Sequence, residues 1–117
     1  MQKTEDLTLK ALGQFIGTQQ YFRVLGANVT DGVKYIMDNG YSWFVTDALA
    51  VILFKRELRG QPFLTVELKL LEDREADLII TDGNNNTLYS QHYEFTDAKR
   101  DLTLYFENGV LLLNSEH

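Results

Sequence analysis

Residues 42–70 read Ser42-Trp43-Phe44-Val45-Thr46-Asp47-Ala48-Leu49-Ala50-Val51-Ile52-Leu53-Phe54-Lys55-Arg56-Glu57-Leu58-Arg59-Gly60-Gln61-Pro62-Phe63-Leu64-Thr65-Val66-Glu67-Leu68-Lys69-Leu70, and the rhythm of apolar side chains changes at Pro62. Ahead of the proline, Trp43, Phe44, Val45, Ala48, Leu49, Val51, Ile52, Leu53 and Phe54 cover nearly the whole circumference of a helix. That pattern predicts a helix over Ser42–Arg59 in the middle of the fold. Lys55, Arg56 and Arg59 suit the negative end of its dipole, and Gly60 ends it. Behind the proline, Leu64, Val66, Leu68 and Leu70 alternate with Thr65, Glu67 and Lys69, the signature of a half-buried strand.

Period-two segments continue toward the C-terminal side. Ala76, Leu78 and Ile80 predict a second strand after the turn Glu72–Glu75. Asp82-Gly83-Asn84-Asn85-Asn86 reads as a turn, because Gly and Asn tolerate positive φ. It lacks the twelve-residue spacing and closing Glu of a calcium loop. A third strand carries Tyr89, Gln91, Tyr93 and Phe95 on one face and Leu88, Ser90, His92 and Glu94 on the other. Leu102, Leu104 and Phe106 begin a fourth. Asn108-Gly109 is a two-residue hairpin signal leading into Val110–Leu113.

Helical spacing dominates on the N-terminal side. Thr30 is a second N-cap, Val33, Ile36 and Met37 follow at i, i+3 and i+4, and Asn39-Gly40 reads as a left-handed stop after about ten residues. Gln20–Val29 reads as an irregular connection. A first helix is expected near residues 5–15, capped by Thr4. The expected fold is a single α+β domain over 1–117, with N-terminal helices packed on a C-terminal antiparallel meander of four to five strands in two layers.

The 117 residues contain no cysteine and two histidines, His92 and His117. Disulfides, thiolate chemistry and sulfur-ligated zinc are excluded, and no metal or cofactor is expected. The run Trp43–Phe54 is too short to span a bilayer. The start, Met1-Gln2-Lys3-Thr4-Glu5-Asp6, has no basic-then-apolar signal pattern, so a cytoplasmic location is expected. The net charge of −6 is uneven: residues 1–60 carry seven Lys/Arg against six Asp/Glu, residues 61–117 four against eleven. No Lys/Arg stripe exists for a phosphate backbone, and direct nucleic-acid binding is not expected. An acidic face attracts basic partners, although excess carboxylate also simply keeps a small protein in solution.

Tyr21, Arg23, Asp31, Lys34, Tyr35, Trp43 and Asp47 form the densest aromatic and ionisable set outside the sheet, and are the candidate binding residues. They share one groove if residues 18–30 fold over the helices; otherwise Tyr35 and Trp43 are core and Arg23 and Lys34 solvated. Asp47, inside an apolar helix, needs a partner such as Arg23, Lys34 or a tyrosine hydroxyl, or else caps a helix that starts later; catalysis by a perturbed carboxylate is the weaker reading. Ser90, His92 and Glu94 imitate a hydrolase set on one strand face but lack a nucleophile elbow and an oxyanion hole, so they read as a solvent face.

Leu12-Gly13-Gln14-Phe15-Ile16-Gly17-Thr18-Gln19-Gln20-Tyr21, Thr30-Asp31-Gly32-Val33-Lys34-Tyr35, Trp43-Phe44-Val45-Thr46-Asp47 and the stretch Leu104-Tyr105-Phe106-Glu107-Asn108-Gly109-Val110-Leu111-Leu112-Leu113-Asn114-Ser115-Glu116 resemble a family of small uncharacterised bacterial proteins with a domain of unknown function. Proline is more usual there at the place of Asn114, and the segment between Tyr21 and Thr30 departs from the family pattern. The resemblance implies one intact domain and a chromosomal, plasmid or phage setting; it brings no catalytic residues. Three functional expectations follow. The first is a non-enzymatic acidic module that binds a protein partner, such as a mobile-element accessory or host-defence inhibitor. The second is a small enzyme or ligand binder using Asp47 with Asp31, Lys34 and nearby tyrosines. The third is a homodimer through the sheet edge at Val110–Leu113.

Overall fold

The computed structural model describes residues 20–117; the helix expected near 5–15 lies outside them. Two strands precede the helices: β1 (Tyr21–Val24) and β2 (Ala27–Thr30) pair antiparallel through a turn at Leu25-Gly26. A helical run of 24 residues follows. It consists of α1 (Asp31–Ile36), a wider π-type turn (Met37–Tyr41) and α2 (Ser42–Phe54). A single-turn α3 (Arg56–Arg59) leads to β3 (Phe63–Leu70), β4 (Ala76–Thr81), β5 (Thr87–Tyr93), β6 (Leu102–Glu107) and β7 (Val110–Leu113).

The seven strands form one mixed sheet in the order β1-β2-β7-β6-β3-β4-β5. This corrects the expected fold class at three points. Among the described residues there are seven strands, not four or five, because Gln20–Val29 supplies a hairpin in place of an irregular connection. The sheet is mixed, because β2 runs parallel to β7, with Asn28 opposite Val110 and Val29 opposite Leu111. The two helices expected on either side of Asn39-Gly40 are one run: the chain passes through these residues, with Gly40 at φ +101°, and resumes the helix at Ser42. The reason is burial on both sides of the kink. Val33, Ile36, Tyr41, Phe44, Val45, Ala48, Leu49 and Ile52 are all fully buried along one stripe. Each of the larger aliphatic and phenylalanine side chains contributes about 1.5–3 kcal/mol, far more than a left-handed glycine costs. Asn39 helps by donating its side-chain amide to the Tyr35 carbonyl at 2.7 Å.

The Ser42–Arg59 helix is also interrupted, by Lys55 in an extended conformation. It is not buried all round, since Phe54 at its end is 79% exposed. The strands after Pro62 are not a meander. The polar loop between β5 and β6 carries the chain back so that β6 pairs with β3, Val66 opposite Leu104. Asp101 anchors this return by accepting from the Leu70 amide at 2.8 Å.

The core lies between the helical run and one face of the sheet: Ala27, Val29, Leu64, Val66, Leu68, Leu78, Ile80, Leu104 and Leu111 meet the helical stripe. Alternation turns the intervening residues to the opposite, outer face. The junction of β2 and α1 is closed from far along the chain. Glu116, in a short 3₁₀ turn (Asn114–Glu116), accepts from Thr30 Oγ1 at 2.6 Å, the Leu113 amide at 2.9 Å and the Gly32 amide at 3.2 Å. Thr30 Oγ1 in turn accepts from the Val33 amide at 3.3 Å, the N-cap expected of it.

Candidate functional site

The helix side holds most of the residues singled out by sequence. Asp47 on α2 accepts a hydrogen bond from the Tyr93 hydroxyl of β5 at 2.7 Å. Of its expected partners, the tyrosine hydroxyl is the one in place. Burial, and then the Asp47 carboxylate, push the Tyr93 phenol above its ordinary range, so it stays a donor at any physiological pH. Trp43 meets the same ring edge-on at 5.1 Å and stacks on Tyr41 at 6.4 Å. Together these contacts tie the edge strand β5 to the helix. Asp47→Ala and Tyr93→Phe are each expected to cost about 1–2 kcal/mol in urea unfolding, less when combined than the sum, because both remove one bond.

Lys34 pairs with Asp38 at 2.6 Å and lies 5.8 Å from the centre of the Phe22 ring. Asp31 accepts from the Gln20 amide at 3.1 Å. Tyr35 is half-buried against the core. Tyr21 and Arg23 alternate with Phe22 and Val24, which turn toward the core, and are exposed on the other face. The sheet therefore stands between Tyr21 and Arg23 on one side and Trp43 and Asp47 on the other. Asp47, Trp43 and Tyr93 are brought together; the seven residues do not line one groove.

The outer face holds a constellation the sequence reading left out. The β3–β6 register sets Phe63 opposite Glu107 and Thr65 opposite Tyr105, and β7 adds Val110 opposite Glu107 and Leu112 opposite Tyr105. The rings of Phe63 and Tyr105 lie 5.2 Å apart. His117 packs edge-on against both, at 5.7 Å and 4.8 Å, and its Nε2 is 3.1 Å from Glu107 Oε2. Beside them, Tyr21, Thr30, Glu107, Val110, Leu112 and Glu116 line an open groove of about 390 Å³. Alternation at Phe63-Thr65-Glu67 and Thr103-Tyr105-Glu107 carried the signal for these residues, as the face opposite the leucines.

His92 also lies on this face, tied at both nitrogens: Nδ1 to Asp77 at 2.8 Å and Nε2 to Glu75 at 2.6 Å. The ring is thus occupied and not free to serve Ser90. The carboxylates take opposite nitrogens, so they do not converge on one point, and no group of three metal-ligating side chains exists among the described residues. The bond to Asp77, followed by that to Glu75, raises the imidazole above its ordinary value. A raised folded-state value means that this tie stabilises fully below about pH 6.5 and is lost as pH rises through the folded value. An NMR titration should find the His92 midpoint above that of a model histidine, and Asp77→Asn should bring it down.

The fold and this face define a class: a helix-backed mixed sheet whose second face is aromatic and acidic. The chain belongs to a family of unknown function, DUF6876, whose model matches residues 6–117. No curated protein and no solved structure matches it significantly. No described helix is long and apolar enough to cross a membrane.

Proposed function

We propose that the protein is a non-enzymatic binding module that engages a protein partner through the outer face of its sheet. One observation carries this reading: the helical run covers one sheet face, while the other presents Tyr21, Phe63, Tyr105, Val110 and Leu112 among carboxylates. Glu67, Asp77 and Glu107, with Glu75 and Glu116 at the borders, outnumber Arg23 and Lys69 there. Aromatic side chains supply contact area at low entropic cost, and a surplus of one charge steers and selects an oppositely charged partner. In a plasmid or phage setting such a module would serve as an accessory or as an inhibitor of a host defence protein.

The arrangement around Asp47 supports this reading over the enzyme alternative. Asp47 is engaged by Tyr93 and Lys34 by Asp38, on different stretches of the helical run. The dimer alternative loses its motive, because β7 lies between β2 and β6 and is not an edge. A pull-down at low and moderate salt tests the proposal. Wild type should retain a stoichiometric partner, more weakly at moderate salt, and Glu107→Lys should release it. No stoichiometric partner, beside measurable turnover in an activity screen, would defeat it.

A further inference from the structure

On the outer face one of the chain's own side chains packs over a pair of aromatic rings, and its contacts state the chemistry of that spot. His117 sits against two aromatic rings with a carboxylate at its tip. A carboxylate can only accept, so Nε2 donates to Glu107. The two rings are held in place by the fold. Phe63 is backed by the β4–β5 turn: Gly83 has φ +87°, and a Cβ there would lie 3.0 Å from the Phe63 ring. Tyr105 is fixed in the β3–β6 register opposite Thr65. Glu116 holds the segment Asn114–His117 through its bonds to Thr30, Gly32 and Leu113.

We propose that Phe63, Tyr105 and Glu107 form a recognition site for a basic side chain of a partner protein, arginine by preference, and that His117 occupies this site in cis until the partner displaces it. The proposal rests on the protein-binding reading and names where and what that module binds. Ring faces attract a cation through their quadrupole, and the attraction grows as water is excluded. Glu107 adds a charge-assisted hydrogen bond for an N–H donor. A guanidinium satisfies both, since it is planar for stacking and forked for a carboxylate. A quaternary ammonium has no N–H for Glu107 and is disfavoured. The surplus of carboxylates over Arg23 and Lys69 on the same face draws a basic segment toward it.

The test is a titration of the full chain with Nα-acetyl-arginine methylamide, followed by NMR on the aromatic signals of Phe63 and Tyr105. Nα-acetyl-citrulline methylamide is the neutral control of the same shape, and choline the quaternary one. The arginine probe should move both rings. It should bind His117→Ala about tenfold more tightly than wild type, the factor expected when the cis ring fills the site about nine-tenths of the time. Glu107→Gln in the His117→Ala background should lose most of that affinity. Citrulline or choline binding as well as arginine, or equal affinity with and without His117, would overturn the proposal. The titration reads the site by itself. A failed titration beside an intact pull-down removes this site and leaves the module; a successful titration beside measurable turnover and no stoichiometric partner removes the wider reading and leaves a site for arginine.

Discussion

Val29→Asp is expected to leave the chain unfolded under conditions in which wild type is folded. Val29 has no solvent exposure and sits in β2 between β1 and β7, opposite Phe22 on one side and Leu111 on the other. An unpaired carboxylate in such a site costs several kcal/mol, and the lost contacts of the valine add about 1–2 kcal/mol. A domain of this size has a total stability of roughly 5–15 kcal/mol. The neighbouring Asn28→Asp is the control, because alternation turns residue 28 to the outer face opposite Val110. It should cost less than about 1 kcal/mol. Urea unfolding followed by circular dichroism reads both. An irregular connection at 20–29 would tolerate aspartate equally well at the two positions; only a strand makes them differ.

Thr30→Val carries the second largest expected effect, about 3 kcal/mol. Thr30 is 1% exposed, and its hydroxyl has two duties, donating to Glu116 and accepting from the Val33 amide. Valine keeps the shape and removes both bonds. Losing an N-cap costs about 1 kcal/mol, and losing a hydrogen bond to a charged group about 1.5–3 kcal/mol. Thr30→Ser retains the hydroxyl and should lose less than about 1 kcal/mol. Glu116→Gln should fall between, since the amide keeps an acceptor but not the charge. The room for this carboxylate comes from Gly32: a Cβ there would lie 2.5 Å from Leu113 Cδ1 and 2.7 Å from Glu116 Oε1. A melting temperature of Thr30→Val equal to that of Thr30→Ser would show that the Glu116 contact contributes nothing.

The five strands after Pro62 were legible because each carries its own local signal. Alternation marks the faces, and the turn residues mark the ends: Asn108 and Gly109 sit at φ +54° and +76°, as a two-residue hairpin loop requires. The β1–β2 hairpin has the same backbone geometry with an unusual residue in it. Leu25 adopts φ +54° beside Gly26 at +99°, and a leucine there does not look like a turn. Strands of four residues also show too little alternation to stand out, and these two lack the Asn-Gly turn that marks the equally short β7. The parallel pairing of β2 with β7 and the contact of Glu116 with Thr30 join positions more than 80 residues apart, so no local pattern encodes them. The kink at Asn39-Gly40 was legible as a glycine in the left-handed region, but not as an interruption the buried stripe would override. On the site, the tyrosine partner of Asp47 was among the expected ones. The aromatic–acidic patch around Tyr105 went unread because it is built across β3, β6, β7 and residue 117.

The position of β2 inside the sheet, parallel to β7, places the α1 N-terminus, Glu116 and the outer face relative to one another. Backbone NOEs in a ¹⁵N-edited spectrum test this most directly. The structure predicts cross-strand contacts between Asn28 and Val110 and between Val29 and Leu111, with slow exchange of the Asn28 amide, which donates to the Gly109 carbonyl at 3.0 Å. Sequential contacts alone through residues 27–30, with that amide exchanging at the rate of an open loop, would contradict it.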